Sequence, residues 1–235
     1  MTRSVLLSSR RRASSTRRPW LFLGVAVAIV VALVLLAIFD PPWVVESLSK
    51  STAGSSVANS SNLDPDSYVN AVWKSKVLPT VKKRAVELPT LLGALQKDRA
   101  AASMKYGNYS VLDSPPAFLA KGSGRVVSVD TLSLVSKAGI ALGSGTKPDV
   151  FIQIGPILSG TDVRDALPFI NFNQFVNQVQ FGEVAIALNA KVAQTSFAHV
   201  NVNRLKGKKV TFTAAFTRSS APAPLVTPIT IRVAK

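Results

Sequence analysis

From Trp20 to Phe39 the chain reads WLFLGVAVAIVVALVLLAIF, without one charged residue. As a helix rising 1.5 Å per residue, about 20 residues span roughly 30 Å, the hydrocarbon thickness of a bilayer. A water-free interior leaves backbone polar groups no partners but each other, so a single segment there must be helical. Trp20 and Trp43 bracket the run and suit the two interfaces, where an indole buries its ring and keeps its N–H wet. Ser47 to Asn62 has too little apolar content to pack and reads as a linker.

Past the linker the period becomes helical. Asp64, Pro65 and Asp66 form a start signal, a carboxylate cap followed by a proline tolerated in the first turn. Val69, Val72 and Trp73, then Leu88, Leu91, Leu92 and Leu95, recur at helical spacing, predicting at least two helices between Tyr68 and Tyr106. Pro79 and Pro89 predict breaks near Leu78 and Leu88, and Gly107 the end of the second helix.

Then the period shortens. Val127, Val129, Thr131 and Leu132 follow Gly122 and Gly124, Ile140 to Leu142 is a second candidate strand, and Val150 to Leu158 a third; GSGTKPD between the last two suits an antiparallel turn. A new helix start falls at Thr161 and Asp162, and Phe181, Val184, Ala185, Leu188 and Val192 share one face of a later helix. Near the C-terminus Val210, Phe212, Ala214 and Phe216 alternate with Thr211, Thr213 and Ala215, and LVTPITIRVAK follows as a second strand of a hairpin. GSGRVVSVDTLS and LKGKKVTFTAAF look like distant counterparts. Curved antiparallel units entered by glycine are what small closed barrels require. The expected fold is therefore α+β, mostly β, with tandem OB-like barrels and flanking helices behind one transmembrane helix. Its expected divisions are a basic tail (1–19), an anchor (20–39), a linker (40–63), helices with a first barrel (64–160) and helices with a second (161–235).

Charge sets the orientation. Arg3, Arg10, Arg11, Arg12, Arg17 and Arg18 all precede the apolar run, so the N-terminus is expected in the cytoplasm and the C-terminal part outside the inner membrane, in the periplasm. A cleavable signal peptide shares a charged tail and an apolar core, but its core is shorter, about 7 to 15 residues, and ends in an A-x-A-like site rather than Phe39-Asp40-Pro41-Pro42. Six of the 28 Lys and Arg lie in the tail, so the rest carries 22 against all 12 Asp and Glu, a formal +10. Its lysines are scattered as on a solvated face, without the aromatic-basic clustering of a nucleic-acid groove. The absence of cysteine excludes disulfides, thiolate metal sites, a cysteine nucleophile and a lipid-modified cysteine.

Chemistry is sparse. His199 is the single histidine, without the G-x-S-x-G elbow that would supply a triad serine, and zinc would need further ligands. Gly143 and Gly145 lack the spacing of a phosphate loop, and Asp149 alone cannot make a calcium loop. Asp162 and Asp165 could share a helix face as a carboxylate pair, but Arg164 between them favours a structural role. The densest segment holds Gly155, Pro156, Gly160, Thr161, Arg164, Asp165, Phe169, Phe172, Asn173, Phe175, Asn177 and Gln178. Aromatics and amides beside glycines could line a sugar or peptide site. The same residues serve an inter-domain joint driven by burial of the phenylalanines.

VWKSKVLPTVKKRAVELPTLLGAL, the KYG at Lys105 to Gly107, GSGRVVSVDT, DVFIQIGPILSGTDVRDALPFINFNQFVNQ and LKGKKVTF together resemble the bacterial predicted periplasmic lipoproteins known as domain of unknown function 2291. The resemblance runs from Tyr68 to the C-terminus. It implies tandem OB-like barrels, a place outside the inner membrane and frequent genetic association with ribose-type sugar ABC transporters, without an established activity or catalytic residues. The missing lipobox cysteine departs from the pattern and leaves attachment to the helix alone. The expectation is a non-enzymatic accessory protein without cofactor. Its expected partners are the inner membrane and ABC transporter components or a sugar-binding protein. A glycan- or small-ligand-binding module is the alternative, and a hydrolase built on Asp165 a third reading.

Overall fold

A computed structural model describes residues 63–111, 114–219 and 221–234. Helix α1 (Pro65–Val72) starts as its sequence dictates: the Asp64 carboxylate accepts the Ser67 N–H at 2.9 Å, and Pro65 occupies the first turn. The break expected near Leu78 does not occur. A wide π turn, Trp73–Val77, carries the helix into α2 (Leu78–Arg84), with the Leu78 N–H reaching back five residues to the Trp73 carbonyl. Widening the turn just before Pro79 shifts the bonding register, so the missing N–H and bulky ring fall in the first turn of a new helix. Near Leu88 the break is real. Strand β1 (Val86–Glu87) separates α2 from α3 (Leu88–Lys97), and Asp98 then caps α4 (Arg99–Tyr106), which stops before Gly107 as expected.

Strand β2 (Gly107–Asn108) leads to β3 (Ala117–Asp130), β4 (Lys137–Ala141) and β5 (Val150–Gln153). After α5 (Asp162–Asp165) and α6 (Gln178–Ser196) come β6 (Lys209–Thr217) and β7 (Leu225–Val233). The sheet runs β3-β4-β5-β7-β6 and closes by pairing β6 back on β3. All neighbours are antiparallel except β5 and β7. β1 and β2 lie along the other edge of β3's first half. The alternation expected of β6 is met, with Val210, Phe212, Ala214 and Phe216 all buried. Residue sizes are matched along the β3–β6 seam: Phe118 faces Phe216 with ring centroids 5.4 Å apart, Ala120 faces Ala214, and Gly122 leaves room for Phe212. A Cβ on Gly122 would stand 3.0 Å from the Phe212 ring, so glycine makes room inside a narrow barrel.

This closure corrects the expectation of tandem barrels. GSGRVVSVDTLS and LKGKKVTFTAAF are not copies; they hold neighbouring strands, with Gly124 opposite Val210 and Arg125 opposite Lys209. Strands from both sides of position 160 share one barrel, the described residues form one compact unit, and a second barrel is absent among them. The reason is edge satisfaction. The meander β3-β4-β5 leaves two open edges, and the hairpin β6-β7 supplies a partner for both. β3 also begins earlier than expected, at Ala117, and ends before Thr131 and Leu132.

Two cores result. One fills the barrel and continues to Leu88, Leu91 and Leu95 of α3. The other lies on the barrel's outer face, where Val69, Trp73, Val77 and Val81 meet Leu119, Ala215 and Ile229. The stripe expected on α6, Phe181, Val184, Ala185, Leu188 and Val192, is buried throughout. Phe181, Val184, Leu188 and Val192 each contribute about 1.5 to 3 kcal/mol. The arginine tail, the apolar run Trp20 to Phe39 and the linker Ser47 to Asn62 lie outside the described residues. Among those described, no helix is long and apolar enough to cross a membrane.

Candidate functional site

The segment after β5 is held by an amide. Gln153, buried inside the fold, donates from Nε2 to the Ser159 carbonyl at 3.0 Å and the Thr227 hydroxyl at 2.8 Å, while its Oε1 accepts the Ser159 N–H at 2.8 Å. Two glycines shape the turn so pinned. A Cβ on Gly155 would collide with the Leu134 carbonyl oxygen and stand 2.7 Å from the Ser136 nitrogen, and Gly160 sits at φ +90°, where side chains are strained. Asn189 of α6 then donates to the carbonyls of Leu158 at 3.2 Å and Gly160 at 2.8 Å.

Next comes the charged pair. Arg164, 7% exposed, donates from Nε (2.8 Å) and pairs through Nη2 (2.7 Å) with Asp165 Oδ1, and its Nη1 donates to the Phe181 carbonyl at 2.9 Å. Its guanidinium carbon stands 3.5 Å from the centroid of the Phe181 ring, a cation–π stack. Asp165 also accepts the hydroxyls of Thr161 at 2.5 Å and Ser110 at 2.8 Å, and its carbonyl takes the Asn108 amide at 2.7 Å. Both carboxylate oxygens are occupied and the guanidinium is anchored on two sides. That geometry ties β2, α5 and α6 together. Asn108 and Ser110 carried no signal in the sequence, because their partners lie more than 50 residues away.

Asp162 differs. Burial pushes its carboxyl up to about 6 from the ordinary 3.8, against the lowering effect of hydrogen bonds from the Thr217 side chain and backbone; the charge of Asp165 adds a smaller upward push.

The remaining candidates disperse. Phe172 meets Phe181 edge-on at 5.6 Å, Phe175 lies 5.4 Å from Phe181 and 6.0 Å from Tyr68, and Phe169 packs on the same core beneath Lys76. Asn177 caps α6 by accepting the Gln180 N–H at 2.9 Å, while Asn173 is exposed. Thr161, Arg164, Asp165, Phe172, Phe175 and Phe181 thus form one joint, and Asn173 stands outside it. His199 lines a separate cavity of about 540 Å³ with Trp73 and Ile229.

Pro156 and Gly160 face outward, onto a cavity of about 370 Å³ shared with Ile157, Ile186 and Ala193. Its apolar lining is open to solvent, with Ile157 50% and Ile186 70% exposed; Leu132 and Leu134 of the β3–β4 loop are also exposed, at 100% and 67%. Gly155 abuts the Leu134 backbone, so the β3–β4 loop packs against the turn after β5. Val179, also exposed, lies two turns before Ile186 on α6. Scattered apolar exposure means little, but a contiguous patch marks an interaction surface.

A closed five-stranded barrel in the order β3-β4-β5-β7-β6, with one parallel pair and a helix between its third and fourth strands, defines an OB fold. The chain is similar to a crystallised OB-fold protein from Thermotoga maritima: 17% identity, TM-score 0.57, covering 74% of this chain and 99% of that one. It belongs to the family described as "Predicted periplasmic lipoprotein (DUF2291)", matched over residues 28–232. That description is of periplasmic, membrane-associated proteins, yet this sequence has no cysteine to carry a lipid. No curated protein matches it.

Proposed function

We propose that this is a periplasmic accessory protein that works by binding a partner rather than by catalysis, tethered by Trp20 to Phe39 with its arginine-rich end in the cytoplasm. The proposed partner is a component of a sugar uptake system of the ABC type. The observation that carries the binding reading is the exposed apolar cavity at which Ile157 and Ile186 meet Pro156 and Ala193, on a turn pinned by Gln153 and Asn189. Asp165, the residue on which a hydrolase would rest, is committed to Arg164, Thr161 and Ser110, which suits a joint better than an acid or base. A tether concentrates the protein beside membrane partners, so contacts of modest affinity suffice.

The test is photocrosslinking in intact cells from a benzophenone side chain at Ile157, with one at exposed Lys83 as the control. A crosslink from 157 alone to a permease or a sugar-binding subunit supports the reading. Its absence from both positions, or equal yields at both, refutes it. Alkaline phosphatase fused after Lys235 reports the orientation: activity is expected, and an inactive fusion overturns the tether.

A further inference from the structure

On the opposite side of the apolar surface's chemistry, the β3–β6 seam brings two cations together. Arg125 lies directly opposite Lys209 in the antiparallel register, both exposed, an arrangement in which like charges repel. Among the described residues neither is paired with a carboxylate, the ion pairs there being Lys121–Glu87 and Arg164–Asp165. Lys206 and Lys208 stand next to Lys209 in sequence, and Lys147 sits in the β4–β5 loop.

The backbone fixes this cluster. The Val126 N–H donates to the Lys208 carbonyl at 2.9 Å and the Gly207 N–H to the Val126 carbonyl at 2.8 Å, with Gly207 at φ +81° turning the chain between them. Beside them opens a mainly polar cavity of about 460 Å³, lined by Ser123, Gly124, Arg125, Gly143, Gly207 and Lys209. Gly124 lets β3 lie close against the end of β4, for a Cβ there would stand 2.6 Å from Ile140 Cγ2. Gly143 has open space above it. The nearest carboxylate in the adjoining cavity, Asp149, already accepts the Leu142 N–H at 2.8 Å.

We propose that this cavity binds a phosphate-type oxyanion, either a soluble phosphate ester or the phosphate of a lipid headgroup. A planar guanidinium offers two parallel donors that match two phosphate oxygens, an ammonium a point charge and Ser123 a hydroxyl, and a bound anion relieves the repulsion across the seam.

The experiment uses the full chain in phosphatidylcholine nanodiscs, titrated calorimetrically with inorganic pyrophosphate, and hydrogen exchange over 206–209 in phosphatidylcholine against phosphatidylglycerol discs. Either a pyrophosphate affinity that falls at least about tenfold in Arg125→Gln/Lys209→Gln, or protection in phosphatidylglycerol discs that the double variant loses, supports the site and identifies its source. Both side chains are exposed, so the variant's thermal unfolding should match the parent's and exclude misfolding. A response to neither probe, or an identical response in the double variant, overturns the proposal. Crosslinking from Ile157 is independent of both results.

Discussion

Replacing Asp162 by Asn removes a charge from a place that disfavours it. The unfolded chain loses this proton near 3.8 and the folded chain near 6, so between those values the native state holds a proton that the unfolded state has released. Stability therefore falls as pH rises from about 4 to about 6, and is flat above. At about 1.4 kcal/mol per pH unit, the displacement is worth at most about 3 kcal/mol. Asparagine keeps the shape and one acceptor for Thr217 but carries no charge. Asp162→Asn is therefore expected to stabilise the protein by about 2 kcal/mol near pH 7.5, and to be neutral or mildly destabilising near pH 4. Urea unfolding of the full chain in non-ionic detergent, followed by circular dichroism at both pH values, measures the difference. A variant effect that is the same at pH 4 and pH 7.5, or a loss at both, would refute the assignment of burial as the dominant influence on Asp162.

Arg164→Leu should cost about 3 to 5 kcal/mol in thermal unfolding, because Asp165 keeps its charge in a half-buried site without its cation; the pair Arg164→Leu/Asp165→Asn should recover part of that loss. Gln153→Leu strands the Ser159 N–H and the Thr227 hydroxyl, so a loss of about 2 to 4 kcal/mol is expected, with faster hydrogen exchange across 155–160. Two glycines give opposite signs: Gly124→Ala should destabilise strongly against Ile140 and Ala141, whereas Gly93→Ala, inside α3 with nothing within 4 Å, should stabilise by about 1 kcal/mol. Melting temperatures of the two variants test this directly.

The features legible in sequence are those whose causes are local. Asp64 capping α1, the alternation along β6 and the buried stripe of α6 each depend on neighbours within one or two turns or residues. Pro79 was misleading for the same reason, since a proline rule knows nothing of a π turn that absorbs it. Closure of one barrel was hidden because β3 and β6, both glycine-entered and threonine- or serine-flanked, look alike for a reason that suits repeats and neighbours equally. In the dense segment, Arg164 and Asp165 could be singled out by type, whereas Asn108, Ser110 and the Phe181 carbonyl could not. The lysines of 206–209 read as a solvated face until the register set one of them against Arg125.

The seam between β3 and β6 also imposes a schedule on folding. Ala117 must wait for Thr217, about a hundred residues later, and strands of such separation join slowly. In the interval the run Ala117 to Ala120, buried on both faces when native, is a sticky ribbon with bare amides. The two-residue strands β1 and β2, available from the N-terminal side as soon as β3 exists, already occupy one of its edges. Small as they are, they act as a guard rail for a chain emerging N-terminus first, leaving open only the edge that the last hairpin will take.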